Sequence, residues 1–207
     1  MKLYRSIIKT ISPLVKLFLR VHIVDNRKDK TELNPFVICA NHISNWDPIL
    51  VLVATQLEIS FMAKESLFKI PILKNILHSL GAAFPVSRTG PDMASIRKSI
   101  EVINNGGHFS LFPQGMRIPG KAPSPEQAKK GVGFICGRAK ASVHPIGIYT
   151  KNHKIMPFRK ITVTIGDFIP FDEIPFGEEQ NDYICASQYI FGKICELVKQ
   201  SEYDENN

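Results

Sequence analysis

Short apolar runs alternate with longer segments of helical character along most of this chain, and that alternation limits the folds open to it. The apolar runs predict strands at 36–40, 59–63, 83–86, 109–112, 143–149 and 161–166. The segments around them predict helices at 48–57, 72–80, 92–104, 126–140 and 181–200. Strands joined through helices pair in parallel, so the sequence predicts an α/β fold with a largely parallel mixed sheet flanked by helices.

The length of the chain fits one domain. A chain of 207 residues with 44% hydrophobic content can bury a single sizeable core. We therefore expect an amphipathic membrane-docking segment over 1–24, one domain over 25–203, and a flexible polar tail over 204–207. The four cysteines show neither a CxxC pair nor zinc-finger spacing, so we expect reduced core thiols and no structural zinc. They are Cys39, Cys136, Cys185 and Cys195.

The first twenty residues carry five basic side chains and no acidic one. On a helical wheel the five cations fall within a sector of about 60°, and the large apolar residues centre on the opposite side. They are Lys2, Arg5, Lys9, Lys16 and Arg20. This pattern is typical of a helix lying in a membrane interface; the alternative is a helix packed on the domain's own core. Charges interrupt the apolar run, so we expect no spanning helix, and Pro13 predicts a kink or two short helices.

The net charge of +7 favours an anionic partner. The basic residues concentrate in the amphipathic segment and do not interleave with aromatic residues, which speaks against nucleic-acid binding. An anionic membrane surface is the expected partner. We therefore expect a peripheral or monotopic protein on the cytoplasmic face of the membrane.

A histidine and an aspartate stand five positions apart in "NHISNWD", directly after a predicted strand. On one straight helix their side chains would point about 140° apart. They can meet if "NHISNW" is a turn, with Asp47 as the N-cap of the next helix and Pro48 as its first residue. An ionised Asp47 would then orient His42, whose other ring nitrogen could take a proton from an alcohol. The alternative is a helix-capping aspartate beside an incidental histidine.

Four motifs in order, over residues 35 to 150, resemble those of the glycerolipid acyltransferases typified by 1-acylglycerol-3-phosphate acyltransferase. The NHxxxxD motif of that family is matched by Asn41, His42 and Asp47. Its second motif, with the lysine-containing segment before it, is matched by residues that include Lys64 and Arg88. The FPEGTR motif appears as "FPQGMR", and the last, proline-containing motif as "VHPIGI".

This resemblance implies an enzyme that moves a fatty acyl chain from a thioester to the free hydroxyl of 1-acylglycerol 3-phosphate, giving phosphatidic acid. His42 would be the base and Asp47 its orienting partner. The resemblance further implies substrate-binding roles for Asn41, Lys64, Arg88, Gln114, Gly115 and Arg117. Acyl-CoA or acyl carrier protein would deliver the acyl chain. With no HExxH, P-loop or dinucleotide motif, no metal and no other cofactor is expected.

Two residues depart from the family's third motif: Gln114 replaces a glutamate and Met116 replaces a threonine. Glutamine keeps the acceptor oxygen but loses the negative charge, which puts the identity of the acceptor in question. The alternatives left open are another lyso-lipid or glycerol phosphate as acceptor, and a catalytically silent lipid-binding homologue.

Overall fold

The computed structural model of the chain describes residues 2–31, 33–64, 83–86, 93–177 and 183–206. Its helices are α1 (Lys2–Phe18), α2 (Asp47–Thr55), α3 (Met93–Asn104), α4 (Gly131–Ala139) and α5 (Tyr183–Asn206). Its strands are β1 (Val21–Asp25), β2 (Phe36–Ala40), β3 (Ile59–Lys64), β4 (Ala83–Val86), β5 (His108–Leu111), β6 (Ser142–Tyr149) and β7 (Ile161–Ile165). All six predicted strands are present, and the helix predicted at 72–80 lies outside the described residues.

The described strands form one seven-stranded sheet in the order β1-β7-β6-β2-β5-β3-β4. Neighbouring strands are parallel in five of the six pairs, and only β6 and β7 run antiparallel. The predicted α/β fold with a largely parallel mixed sheet is confirmed. The carboxyl ends of β2, β3, β4, β5 and β6 therefore meet at one edge of the sheet, where ligands commonly bind in such folds.

Strand β2 supplies side chains to a hydrophobic core on each face of the sheet. Val37 and Cys39 point into the core that α3, α4 and α5 cover. Phe36, Ile38 and Ala40 point into the other core, to which α2 contributes. All five residues are buried, which explains why the strand is a continuous apolar run without alternating polar positions.

Three boundaries differ from the sequence-based expectation. Strand β1 lies partly inside the predicted docking segment 1–24 and pairs with β7, so that boundary falls within the sheet. Helix α5 continues to Asn206, through the predicted flexible tail, with the amide of Gln200 donating to Asp204 one turn later. The helix predicted at 126–140 is divided into a 3₁₀ turn, Pro125–Gln127, and α4. The division arises because the N–H of Lys129 donates to the carbonyl of Pro113 instead of continuing a helix.

Helix α1 is continuous through Pro13 rather than two short helices. One edge of α1 packs on the domain: Ile8 and Ser12 are buried, and the Ser12 hydroxyl accepts a hydrogen bond from Gln56 at 2.8 Å. Other large apolar side chains of α1 stay exposed, namely Ile11, Leu14, Leu17 and Phe18. Among the described helices, none has both the length and the hydropathy needed to cross a bilayer.

Candidate active site

Asn41, the first residue after β2, clamps two strands together. Its amide nitrogen donates to the carbonyl of Ile148 at 2.8 Å, and its oxygen accepts from the N–H of the same residue at 2.7 Å. The side chain is fully buried. Both ends of the Asn41 amide are used by the main chain of β6, and this contact fixes where the following loop begins. The substrate-binding role inferred for Asn41 stays a prediction.

His42 and Asp47 meet, as a turn between β2 and α2 would allow. Nδ1 of His42 lies 2.7 Å from Oδ2 of Asp47. The Asp47 side chain is fully buried, while 15% of the His42 side chain remains accessible. Because Nδ1 faces a carboxylate, its proton stays there and Nε2 is left as the basic nitrogen. The residue pair therefore has the geometry of a histidine base with an orienting aspartate.

The carboxylate of Asp47 also shapes the loop that carries His42. Its Oδ2 accepts from the N–H of Ile43 at 2.6 Å and from the N–H of Ser44 at 2.7 Å. The N-cap of α2 is Trp46, and Asp47 is the first helical residue, so the predicted N-cap position is wrong by one residue. The side chain turns back to the loop, where these donors and His42 already engage it.

Two residues after β5 hold His42 from the other side. The ring of Phe112 stacks on the His42 imidazole with centroids 4.1 Å apart and planes 14° apart. The Gln114 side chain accepts from the main-chain N–H of His42 at 2.6 Å and donates to Gln127 at 2.7 Å. A main-chain N–H can only donate, so the oxygen of Gln114 must face His42.

Gln114 is almost fully buried, and its amide is used by His42 and Gln127. These contacts give Gln114 a part in positioning the loop of His42. The substrate-binding role inferred for Gln114 stays a prediction. A glutamate at this position would supply the same acceptor oxygen. The departure from the FPEGTR pattern thus preserves the hydrogen bond that matters at this point.

Gly115 and Arg117 lie in the turn that follows Gln114. Gly115 has a φ of 67°, which favours glycine, and its N–H donates to the carbonyl of Phe112. The N–H of Gly115 is therefore used within the turn. The residue is exposed, so a substrate group can still approach its backbone closely. Arg117 is exposed, and the next residue, Ile118, donates to the carbonyl of His42 at 2.8 Å. This contact places an accessible cation beside the His42 loop.

The remaining predicted cations are only partly located. Lys64 ends β3, at the same edge of the sheet as His42, and its side chain lies outside the described residues. Arg88 lies outside the described residues altogether. Sequence reasoning missed two residues that hold the site. Phe112 opens the "FPQGMR" motif and could have been found there, whereas nothing in the sequence marks Gln127.

The three buried cysteines are poor candidates for an enzyme nucleophile. Burial raises the pKa of the Cys136 and Cys195 thiols to about 12 and that of Cys39 well above its ordinary value. These thiols are therefore protonated at neutral pH. Cys185 is exposed, which differs from the expectation of core thiols at all four positions. No cluster of metal-binding side chains occurs among the residues that the structure describes.

Comparisons with known proteins connect this geometry to a family. The family model named Acyltransferase matches residues 19–149. A 1-acyl-sn-glycerol-3-phosphate acyltransferase of Bacillus subtilis is 31% identical over 124 residues, which cover 59% of each chain. A protein of the same name from Borreliella burgdorferi is 28% identical over 118 residues, 56% of this chain and 46% of that protein.

A solved structure shares the fold. The crystal structure of the 1-acyl-sn-glycerophosphate (LPA) acyltransferase PlsC from Thermotoga maritima matches with a TM-score of 0.69 and 24% identity, covering 93% of this chain and 79% of that one. The matched region spans about half the length of the curated relatives. The family model covers more than half of this chain and contains the His42, Asp47 and Gln114 positions. This chain belongs to the acyltransferase family.

Proposed function

We propose that this protein transfers a fatty acyl chain from a thioester donor to the free hydroxyl of 1-acylglycerol 3-phosphate, giving phosphatidic acid. The observation that carries the proposal is the His42–Asp47 pair, held by Gln114 at the carboxyl edge of the sheet. The names of the two curated relatives support the choice of acceptor. The donor is acyl-CoA or acylated acyl carrier protein, since both present the acyl chain as a thioester.

In this reaction Nε2 of His42 takes the proton of the acceptor hydroxyl as the oxygen attacks the thioester carbonyl. Asp47 accepts from the Nδ1–H and stabilises the imidazolium that forms. The tetrahedral intermediate collapses by breaking the carbon–sulfur bond, and the departing thiolate receives the proton from His42. The thioester is already activated, so no covalent acyl-enzyme is needed.

The turn around Gly115 offers donors for the oxyanion and a cation for the phosphate. No described acceptor engages the main-chain N–H of Met116 or of Arg117. Both can face the developing oxyanion. The guanidinium of Arg117 can hold the acceptor's phosphate through two parallel hydrogen bonds, and Lys64 and Arg88 are proposed to share this task.

We further propose that the protein docks on the cytoplasmic face of the membrane through α1. The exposed apolar residues of α1 and the basic side chains beside them support this role, because anionic headgroups attract the cations while the acyl region accepts the apolar surface. The acceptor's own acyl chain would then leave the bilayer without crossing water.

The test is a transfer assay with purified protein, an acyl thioester and a panel of acceptors: 1-acylglycerol 3-phosphate, glycerol 3-phosphate and a lyso-lipid with a neutral headgroup. Products are separated and identified by mass spectrometry. We expect phosphatidic acid as the main product. If another acceptor is used better, the acceptor assignment is wrong; if none is acylated, the enzymatic proposal is wrong.

A further inference from the structure

A loop between β6 and β7 presents large apolar side chains to solvent at the edge of the sheet where His42 lies. This loop, residues 155–160, is called the insertion loop below. The Phe158 side chain is 83% exposed and Met156 is 42% exposed. Together with Phe18 and Trp46 they line a groove of about 310 Å³, whose wall also includes Ser44 of the His42 loop. The groove therefore joins α1, the candidate active site and the insertion loop.

The backbone of Phe158 adopts a conformation that is unfavourable for a bulky residue. Its φ is 64°, in the left-handed region, and Nη1 of Arg20 donates to its carbonyl at 2.7 Å. Such a conformation costs on the order of 1 kcal/mol or more and persists where its surroundings hold it. The exposed ring gains little from packing on this chain. The loop is therefore held in a conformation that points an aromatic ring outward.

Two segments of the chain that meet at the insertion loop carry only positive charge. Residues 142–166 contain four basic side chains and no acidic one, and residues 1–20 contain five basic side chains and no acidic one. The two segments meet at the Arg20–Phe158 hydrogen bond. Lys154 and Lys160 are exposed on either side of the apolar residues. Exposed apolar side chains bordered by cations are complementary to an anionic lipid surface.

We propose that the insertion loop is a second membrane-inserting element, which enters the headgroup and acyl boundary of an anionic bilayer together with the C-terminal half of α1 and Trp46. Phe158 inserts among acyl chains, and Lys154 and Lys160 bind lipid phosphates. This arrangement turns the His42 edge of the sheet toward the membrane. The inference extends the membrane docking proposed for α1 and does not depend on acyl transfer.

The experiment compares two substitutions of Phe158 that suit its backbone. Glycine and asparagine both tolerate a positive φ, so Phe158→Gly and Phe158→Asn should fold at least as well as the unaltered protein. Phe158→Leu keeps an apolar side chain. The matched control is Ile184→Ser, which removes an apolar side chain that is 39% exposed on the first turn of α5. That turn packs near Gly137 of α4, at the end of the sheet where β6 begins.

Binding is measured by co-sedimentation with vesicles of phosphatidylglycerol and, separately, of phosphatidylcholine. Trp46 is the single tryptophan of the chain, so quenching of its fluorescence by brominated acyl chains reports insertion of the same surface. We expect Phe158→Gly and Phe158→Asn to reduce partitioning to the anionic vesicles by about tenfold or more, as loss of a buried aromatic side chain implies. Phe158→Leu and Ile184→Ser should bind nearly as the unaltered protein does.

The outcomes separate this inference from the function proposed above. If the intact protein binds anionic vesicles and Phe158→Gly binds them equally well, the insertion loop is not a membrane element. Sedimentation could instead show that the intact protein is a dimer and that Phe158→Gly is not. If vesicle binding is unchanged in that case, the loop serves self-association and the inference is overturned. If the intact protein binds no anionic vesicle, both membrane proposals fail. Turnover on detergent-dispersed acceptor tests the enzymatic proposal separately, and we expect Phe158→Gly to retain it.

Discussion

The side-chain oxygen of Gln114 accepts a hydrogen bond from the main-chain N–H of His42 at 2.6 Å. One of the two residues that depart from the family's third motif thus contacts the backbone of the candidate base, and the nitrogen of Gln114 donates in turn to Gln127. A difference that first raised a question about the acceptor therefore concerns the placement of His42.

Replacing Gln114 should test the role of its side-chain oxygen as a hydrogen-bond acceptor. Gln114→Met keeps the length of the side chain but leaves the partly buried N–H of His42 without its acceptor, which should cost about 1–3 kcal/mol of unfolding free energy. A displaced His42 should also lower turnover by about tenfold to a hundredfold. Gln114→Glu restores the acceptor oxygen for the N–H of His42, so its turnover should stay close to that of the unaltered protein. Equal turnover in the methionine and glutamate variants would contradict the positioning role.

Gln127 should act through Gln114. Gln127→Ala leaves the Gln114 nitrogen without its acceptor, so its effect should depend on which residue occupies position 114. A double-mutant cycle on urea unfolding, using Gln127→Ala and Gln114→Met, should give a coupling of about 0.5–3 kcal/mol. Strict additivity would show that the two amides do not support each other.

Substitutions of His42 and Asp47 should both lower turnover while leaving the protein folded. His42→Ala should reduce turnover by about 10²- to 10⁴-fold, while binding of the lyso-lipid survives. Asp47→Asn should also reduce turnover strongly, because an amide cannot stabilise the imidazolium. Asparagine can still accept from the N–H groups of Ile43 and Ser44, so circular dichroism should show a folded protein. An unfolded Asp47→Asn variant would make Asp47 mainly structural, and an active His42→Ala variant would end the base assignment.

Arg117 should discriminate acceptors by their phosphate. A charge-assisted hydrogen bond contributes about 1.5–3 kcal/mol, so Arg117→Ala should lower kcat/KM for a phosphate-bearing acceptor by about tenfold to 150-fold. Thioester hydrolysis without acceptor should change much less. Arg117→Lys keeps the charge but not the paired hydrogen bonds. Its kcat/KM for the phosphate-bearing acceptor should lie between those of the unaltered protein and Arg117→Ala. The same loss with a neutral lyso-lipid would refute the phosphate role.

Buried His144 should make the fold sensitive to mild acid. Burial, with a smaller effect from the charge of Arg27, lowers its pKa from 6.5 to about 4. The unfolded chain then binds a proton that the folded one refuses, so stability is full above about pH 6.5 and falls as the pH drops toward 4. The loss should approach about 3 kcal/mol at pH 4.

His144→Leu removes this dependence and is the variant that tests it. If His144 is responsible, the urea midpoint of the unaltered protein should fall more steeply between pH 6.5 and pH 4 than the midpoint of His144→Leu. Above pH 6.5 the two midpoints should change in parallel. The Asp25 carboxyl, whose pKa is lowered to about 2 by its hydrogen bond to Arg27, loses its contribution below this window and should not mask it. Parallel midpoints over the whole range would exclude His144 as the cause.

Local pattern was enough to predict most elements of this fold. The six strands from β2 to β7 were found because each is an apolar run between turn signals, and a buried strand needs such a run wherever it sits. β1 was missed, since "VHIVD" mixes polar and apolar residues and lies at the edge of the sheet. The spacing of His42 and Asp47 allowed their contact through a turn without requiring it.

The tertiary structure alone decided which way the motif side chains point. Asn41 bonds to a residue 107 positions away and the N–H of His42 to one 72 positions away, so neither direction can be read from neighbouring letters. The same is true of the surface formed where Arg20 meets Phe158, 138 positions apart. Sequence determined the elements and the chemistry available at each position, because periodicity and residue type are local. The roles of Asn41, Gln114 and Phe158 depended on which strands the sheet brings together, because that pairing closes long loops that no local pattern specifies.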